Sequence, residues 1–339
     1  KDYGVNSVRL RLWNDPYTED GVPYGAGTND LEVYKKLAKR AMDHGMSILL
    51  DYHYSDFWAD PGKQRVPKAW RGMDADQLEQ AVYDYTRETL LEMKDAGVFP
   101  QLVQVGNELT NGLMWPLGQK PEYDNIAKFV SAGIRAVRSV DSDIPVMIHL
   151  DNGGNNLMYV DWFDHYIERG EDFDIIGMSY YPFWHGTMKE LEANMRDMAD
   201  RYGKKIVIAE VSMGFTMDDY ADYEKLGPDD RKGYATKPSL VEKLDYPMTP
   251  EGQADFMNDI MKLIDDVPGG DGFYYWEAGW IPVPGSGWAT EGALSYIEES
   301  GPCGNEWANQ ALFDYDGHAL PALKTIRDYK PLHSDYPLK

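Results

Sequence analysis

Seven short apolar runs, spread along 339 residues and each closing on a polar or aromatic side chain, limit what this chain can fold into. They are Ser7 to Trp13, Ser47 to Tyr54, Leu102 to Glu108, Val146 to Asp151, Ile175 to Tyr181, Ile206 to Ser212 and Gly272 to Trp276. Nearly continuous apolar composition over so few residues suits strands buried on both faces. Between them lie stretches with helix spacing: Leu31, Tyr34, Leu37, Ala38 and Ala41, stopped at Gly45; Leu78, Val82 and Tyr85, running on to Gly97; and Leu191, Met195, Met198 and Tyr202, stopped at Gly203. Thr249-Pro250 reads as an N-cap with proline at the first helical position, ahead of a helix through Phe256, Ile260 and Leu263. Strands alternating with helices predict parallel strands joined by right-handed crossovers.

Two architectures satisfy that pattern, an open doubly wound sheet and a closed (β/α)8 barrel. Against the open sheet, no glycine-rich phosphate loop follows any run: Val105-Gly106-Asn107-Glu108 has a single glycine, and Gly153-Gly154 lacks the rest of the fingerprint. Unusual side chains instead end nearly every run: Arg11 and Asn14, His53 and Asp56, Asn107 and Glu108, Asp151 and Asn152, Tyr180, Glu210, Trp276 and Glu277. An open sheet concentrates function at one switch point, whereas a barrel collects it from all its strand ends. The expectation is an α/β chain forming one catalytic (β/α)8 TIM barrel over residues 1–339. Eight strands are needed and seven are visible, so the first strand is expected upstream of Lys1, together with any targeting signal. In that count Glu108 ends strand four and Glu210 ends strand seven. Met213 to Met248, with Asp218, Asp219, Asp222, Asp229 and Asp230, and Trp280 to Asn309 then read as extended loops after strands seven and eight, over the active face.

Charge narrows the partners. Lys and Arg number 33 against 57 Asp and Glu, a formal charge of −24 that disfavours nucleic acid and anionic membranes and suits an uncharged ligand. One cysteine, Cys303, excludes an intrachain disulfide, so stability has to come from the core. No apolar run is long enough to span a bilayer.

The chemistry is concentrated at two carboxylates. Gln101-Leu102-Val103-Gln104-Val105-Gly106-Asn107-Glu108 and Lys205-Ile206-Val207-Ile208-Ala209-Glu210 both end a dry strand on an acid, which must open onto solvent or a ligand. Two acids at two strand ends suggest a general acid and a nucleophile. With those residues placed, the chain resembles family 53 of the glycoside hydrolases, the endo-β-1,4-galactanases. The matching segments are Val8 to Pro16, Asp51 to Pro61, Val103 to Glu108, Ala209-Glu210, Tyr275-Trp276-Glu277 and Asn309 to Asp314. Ser55 to Pro61 is the most specific of them.

The resemblance implies Glu108 as proton donor and acid/base, Glu210 as nucleophile, and galactan or type I arabinogalactan, the neutral side chains of pectin, as substrate. It also implies an extracellular or cell-surface location, and a monomer is expected. Substrate contacts are expected from Arg11, His53, Asp56, Trp58, Asn107, Asp151, Asn152, Tyr180, Trp276 and Glu277. Each has a plainer reading. Asn107 caps a turn or meets the sugar 2-hydroxyl; Arg11 positions Glu210 or makes a structural ion pair; His53 orders the site or fills the core; Asp151 and Asn152 recognise hydroxyls or cap a loop. By analogy within the clan, Tyr180 hydrogen-bonds the nucleophile.

Among Trp58, Trp70, Trp276, Trp280 and Trp288, all in strand ends or active-face loops, Trp58 and Trp276 are the expected sugar platforms. No cofactor or metal is expected; for calcium, the loop after Glu210 shows no clear ligand motif. The alternatives are a relative acting on β-mannan or β-glucan, a glycan-binding protein on an inactive barrel, and a metal-dependent barrel hydrolase.

Overall fold

The computed structural model describes residues 1–218, 236–283, 286–301 and 303–331. Its strands are β1 (Ser7–Leu12), β2 (Ser47–Tyr52), β3 (Leu102–Val105), β4 (Val146–Leu150), β5 (Ile175–Tyr180), β6 (Lys205–Val211) and β7 (Gly270–Tyr275). All neighbours pair in parallel and in chain order, as the alternation of strand and helix predicts. The sheet curls until its two edges face one another, where Ser7 and Tyr274 share a hydrogen bond of 2.8 Å. It is therefore a seven-stranded arc of a barrel, open between β1 and β7.

The helices are α1 (Leu31–Asp43), α2 (Ala75–Asp95), α3 (Tyr123–Val140), α4 (Asn156–Ile167), α5 (Met188–Tyr202), α6 (Pro238–Val241), α7 (Pro250–Asp266), α8 (Glu291–Ile297) and α9 (Pro321–Asp328). Their starts are set by side chains that satisfy free backbone N–H groups. Asp30 accepts from Val33 N, Thr249 accepts from Gly252 N with Pro250 next in line, and Asp74–Gln77 and Thr187–Glu190 are reciprocal capping boxes. α5 ends at Gly203 in the left-handed conformation. Leu37, counted from its spacing as part of the apolar face of α1, is exposed instead, and Tyr34, Ala38 and Ala41 carry that face.

The main core lies between strands and helices and takes the outward side chains of the sheet, among them Ile48, Leu50, Val103, Val105, Ile148, Ile176, Ile206 and Ile208. α3 lies close on β3. Gly133 makes that approach possible, since a Cβ there would stand 2.6 Å from Val105 Cγ1 and 2.8 Å from the Tyr54 hydroxyl. Both neighbours are anchored: Val105 is β-branched, and the Tyr54 hydroxyl bonds Thr86 Oγ1 at 2.8 Å.

The loop after β6 runs on to α7 and carries α6. Residues 219–235, which include Asp219, Asp222, Asp229 and Asp230, lie outside the described residues. The loop after β7 carries α8, whose Ala293, Leu294 and Ile297 join Trp13, Tyr24 and Phe57 in a second apolar cluster. No described helix is long and apolar enough to cross a membrane.

Gly133→Ala should destabilise the protein by about 1 to 2 kcal/mol, because overpacking of about 1 to 3 kcal/mol outweighs the roughly 1 kcal/mol by which alanine favours a helix. Chemical denaturation would show it; a stabilised variant would mean that α3 does not press on β3 in this way.

Candidate active site

Alternation along the strands sorts the inward side chains into levels. Leu49, Leu102, Met147, Ile175, Val207 and Ala209 form a dry apolar cluster low in the barrel. Two or four residues further along the same strands stand Asp51, Gln104, His149 and Ser179, all fully buried and all polar. Polar atoms in such a place cost free energy unless each is bonded, and here Arg9 on β1 ties most of them together.

The Arg9 guanidinium donates through Nε to Gln104 Oε1 at 2.9 Å, through Nη1 to Glu210 Oε1 at 2.9 Å and through Nη2 to Asn107 Oδ1 at 2.7 Å. Nη2 also lies 2.9 Å from Asp51 Oδ2. Burial works against its charge, but the Asp51 and Glu210 carboxylates outweigh that and hold its pKa above the ordinary arginine value. Breaking such a buried pair from one side typically costs about 3–5 kcal/mol.

A bulge brings Glu210 into this network. Met178 pairs with Ile208, yet the next residue, Ser179, pairs with Glu210, so one extra residue on β6 shifts the inward side from the odd positions Val207 and Ala209 to Glu210. Glu210 Oε2 accepts from the Tyr181 hydroxyl at 2.7 Å. Glu108 arrives by a different device: β3 stops at Val105, Gly106 turns at φ +80°, and Glu108 itself is held at φ +50°, a left-handed conformation that costs a residue with a side chain free energy. Ser179 Oγ donates to Glu108 Oε1 at 2.6 Å. An oxygen of Glu108, an oxygen of Glu210 and a ring nitrogen of His149 lie within 4.8 Å of one another.

The two acids are electrostatically unequal. Burial pushes Glu108 well above the usual carboxylate range, and the charges of Glu210 and Asp151 push it further. Burial also raises Glu210, but Arg9 and the Tyr181 hydroxyl pull it back. Glu108 is thus the partner that keeps its proton and Glu210 the one that ionises first. Asp151, raised to about 6 chiefly by burial, bonds the Thr110 hydroxyl.

These groups open into a cleft of about 560 Å³. Aromatic rings form much of its wall: Trp58, Trp184, Trp276, Trp280, Trp288 and Trp307, with Asn107 and Asp151 between them. Of the residues singled out from the sequence, Glu108, Glu210, Asn107, Asp151, Trp58 and Trp276 meet here.

The others are placed differently. Arg11 does not hold Glu210; it pairs with Glu277 at 2.7 Å and lies over the Trp58 ring at 4.2 Å, so Arg11 and Glu277 brace the Trp58 and Trp276 pair. Tyr180 points outward between sheet and α7, stacked on Phe256 and donating to Gly186 O, and Tyr181 makes the contact with the nucleophile candidate in its place. Strand parity is the reason, since Ser179 and Tyr181 share the inward side. His53 is buried, its Nδ1 accepting from Trp13 Nε1 and Ala59 N and its Nε2 facing Asp51. Asp56, also buried, accepts from Asp15 N and Lys68 N and ties two loops together without reaching the cleft. Asn152 has φ +58° and turns the chain into α4, so loop geometry describes it better than hydroxyl recognition. Trp70 is buried away from this cleft.

Arg9, Gln104, His149, Ser179 and Tyr181 were not singled out. Their signal is a period of two, a polar residue at alternate places inside runs otherwise rich in Val, Ile and Leu. For a metal, the described residues offer one further cluster, Asp314, Asp316 and His318. There Asp314 Oδ1 accepts from the backbone of Asp316 and His318, which accounts for the cluster as a turn.

The sequence matches the family model described as "Glycosyl hydrolase family 53" over residues 1–326. It is 38% identical to an endo-beta-1,4-galactanase of Bacillus subtilis, over 96% of this chain and 77% of that one. The fold superposes on a GH53 catalytic domain from Ignisphaera aggregans with a TM-score of 0.86 at 40% identity, covering 96% of this chain and 86% of the other. It also superposes on a fungal beta-1,4-galactanase structure with a TM-score of 0.75 at 30% identity, over 96% and 89%.

The raised pKa of Glu108 makes a stability prediction. Unfolded, the group ionises near its ordinary value; folded, it keeps its proton to higher pH, so stability is full at acid pH and falls as pH rises through that window. Glu108→Gln removes the titration, and its melting temperature should exceed the wild type's at pH 8 while the two converge toward pH 4. An equal difference at both pH values would contradict the assignment.

Proposed function

The chain belongs to glycosyl hydrolase family 53, and on that premise we propose that it is an endo-acting glycosidase that cleaves internal β-1,4-galactosidic bonds of galactan and type I arabinogalactan with retention of configuration. The observation that carries the reading is the approach of the two carboxyl groups, whose oxygens come within 4.8 Å. Retaining enzymes hold these groups about 5–5.5 Å apart, whereas inverting ones leave room for a water at about 6.5–9.5 Å.

In the proposed double displacement, ionised Glu210 attacks the anomeric carbon while Glu108 gives its proton to the departing glycosidic oxygen. The covalent galactosyl ester then breaks when Glu108, now a carboxylate, removes a proton from water and that water displaces Glu210. Arg9 and Tyr181 hold Glu210 charged and in place through their hydrogen bonds. Asn107 is oriented for the sugar, because its Oδ1 is occupied by Arg9 and one N–H by Ala59 O. The other N–H is left for the 2-hydroxyl. Trp58 and Trp276 offer faces for the apolar side of the pyranose, with Asp151 as a hydroxyl acceptor. No step calls for a metal. The formal charge of −24 suits a neutral polymer, and a polymer that cannot enter a cell implies action outside it or at its surface. A single chain supplies every group named.

The nearest competing reading keeps the mechanism and changes the sugar to β-mannan or β-glucan. Reducing-sugar release from galactan, mannan and cellulose should be confined to galactan. Glu210→Ala should lose activity by about 10⁴-fold or more, with azide restoring turnover as a galactosyl azide of inverted configuration, and Glu108→Ala should lose galactan cleavage without that product's configuration. Equal activity on mannan, or rescue of neither variant by azide, would overturn the substrate or the roles.

A further inference from the structure

A second cavity, of about 710 Å³, lies beside the cleft and takes no part in the steps above. Its lining comes from three places: the stretch from Arg65 to Met73 after β2, Trp115 to Leu117 after β3, and Ser295, Tyr296 and Glu298 at the end of α8. The wall it shares with the cleft is thin, since Lys63 and Glu299 line the cleft whereas Arg65 and Glu298 line the cavity. That wall is tied on both sides. Arg65 and Trp115 form a parallel bridge, Trp115 N donates to Gln64 O at 2.7 Å, and Arg65 Nη2 donates to Ile297 O at the end of α8. The Trp115 ring is anchored as well, its Nε1 donating to Asn111 O at 3.0 Å.

The two faces of the wall differ in charge. The cleft presents Asp60, Glu108, Asp151, Glu210, Glu299 and Glu306 against Lys63, whose ammonium meets Glu299 at 2.9 Å. The cavity presents two arginines, Arg65 and Arg71, against one acid, Glu298. In a chain with 57 acidic and 33 basic residues a guanidinium finds a carboxylate easily, as Arg9, Arg11, Arg135 and Arg138 do. Among the described residues no carboxylate pairs with Arg65 or Arg71: Arg65 gives only Nη2, to a carbonyl, and the Arg71 guanidinium lies 5.5 Å from the Tyr296 ring centroid.

Guanidiniums without a carboxylate, beside the rings of Trp115, Trp70 and Tyr296, suit a ligand that carries both a carboxylate and an apolar ring face. A guanidinium takes a carboxylate in two parallel hydrogen bonds, and an aromatic face takes the C–H side of a pyranose. A uronate has both features; an inorganic anion has only the first and a neutral hexose only the second. We propose that this cavity binds an acidic sugar, a uronate unit of a polysaccharide, through Arg65 and Arg71, apart from the cleft where bonds are cut. Binding there does not rest on the reading of the cleft, but on that reading it acquires a use. A cleft lined with acids repels the uronate backbone of pectin while the cavity beside it attracts that backbone, so the neutral side chain is the part left to enter.

The test is isothermal titration of the full chain with trigalacturonate at low ionic strength, which needs no turnover. Saturable binding is expected, weakened by salt, retained in Glu210→Ala and not displaced there by galactotriose. The uncharged methyl ester of the same trimer should not bind. Arg71→Ala should weaken binding about tenfold or more, the contribution of one hydrogen-bonded charge pair, and Arg71→Lys by less. Arg65→Gln should act in the same way; Arg71 is exposed, and its variants give the same reading should Arg65→Gln fail to fold. Cleavage of unbranched galactan should be unchanged in Arg71→Ala. No binding to the wild type, equal binding of the ester, or displacement by an equal concentration of inorganic phosphate would overturn a site for an acidic sugar. Displacement by galactotriose, or a matching loss of galactan cleavage in Arg71→Ala, would place the trimer in the cleft and overturn a separate site. The binding arms use no hydrolysis, so their failure leaves the catalytic assignment standing, and the failure of that assignment leaves them standing.

Discussion

One buried guanidinium holds the site together. Arg9 bonds side chains from β2, β3 and β6 as well as Asn107 in the turn after β3, so strands far apart in sequence are fixed relative to one another by a single side chain. The arrangement works because arginine keeps its charge when desolvated and presents several donors in a rigid plane. Lysine, with a point charge and no plane, would satisfy one or two of these partners. The energetic reading follows from burial: each partner is costly alone and tolerable together, so the cluster behaves as a unit. Glu210 gains from it an ordered position and relief from the full effect of its own burial.

The difference between the two acids grows from that asymmetry. Both are buried, yet a cation stands against only one of them. Glu108 has a serine hydroxyl and three acidic neighbours, Glu210, Asp151 and Asp60, instead. Two glutamates of identical chemistry are thereby separated into a group that ionises readily and a group that resists it. Local charge, and nothing in the residue type, makes that distinction.

Much of this was legible in the sequence. Apolar runs alternating with capped helices were enough for a parallel sheet, because the burial that fixes strand position is also what makes the runs apolar. Glu108 and Glu210 stood out as acids at the ends of dry strands, where an unpaired carboxylate would be too costly to keep without a use. Arg9 and His149 did not stand out, since attention to the ends of runs passes over their middles. The choice of Tyr180 over Tyr181 and of Arg11 over Arg9 depended on which way a side chain points. That direction is settled by register and by a bulge, and neither has a strong mark in a single sequence. Asp56 and His53 look like cleft residues by position alone; the hydrogen bonds that bury them belong to loops whose paths are not predictable from composition.

The bulge in β6 has a consequence for how such a barrel can change over time. Below it, alternate residues follow the rhythm of the apolar floor; above it, the rhythm restarts one step later, so the upper end of the strand is phased independently of the lower. Deleting Ala209 would remove the extra residue and one member of the floor, yet leave Glu210 opposite Ser179 on the inward side. This step of β6 can thus lose a residue without a change of phase above it, because the upper end of the strand is set by the pairing of Ser179 with Glu210 and not by the count of residues below.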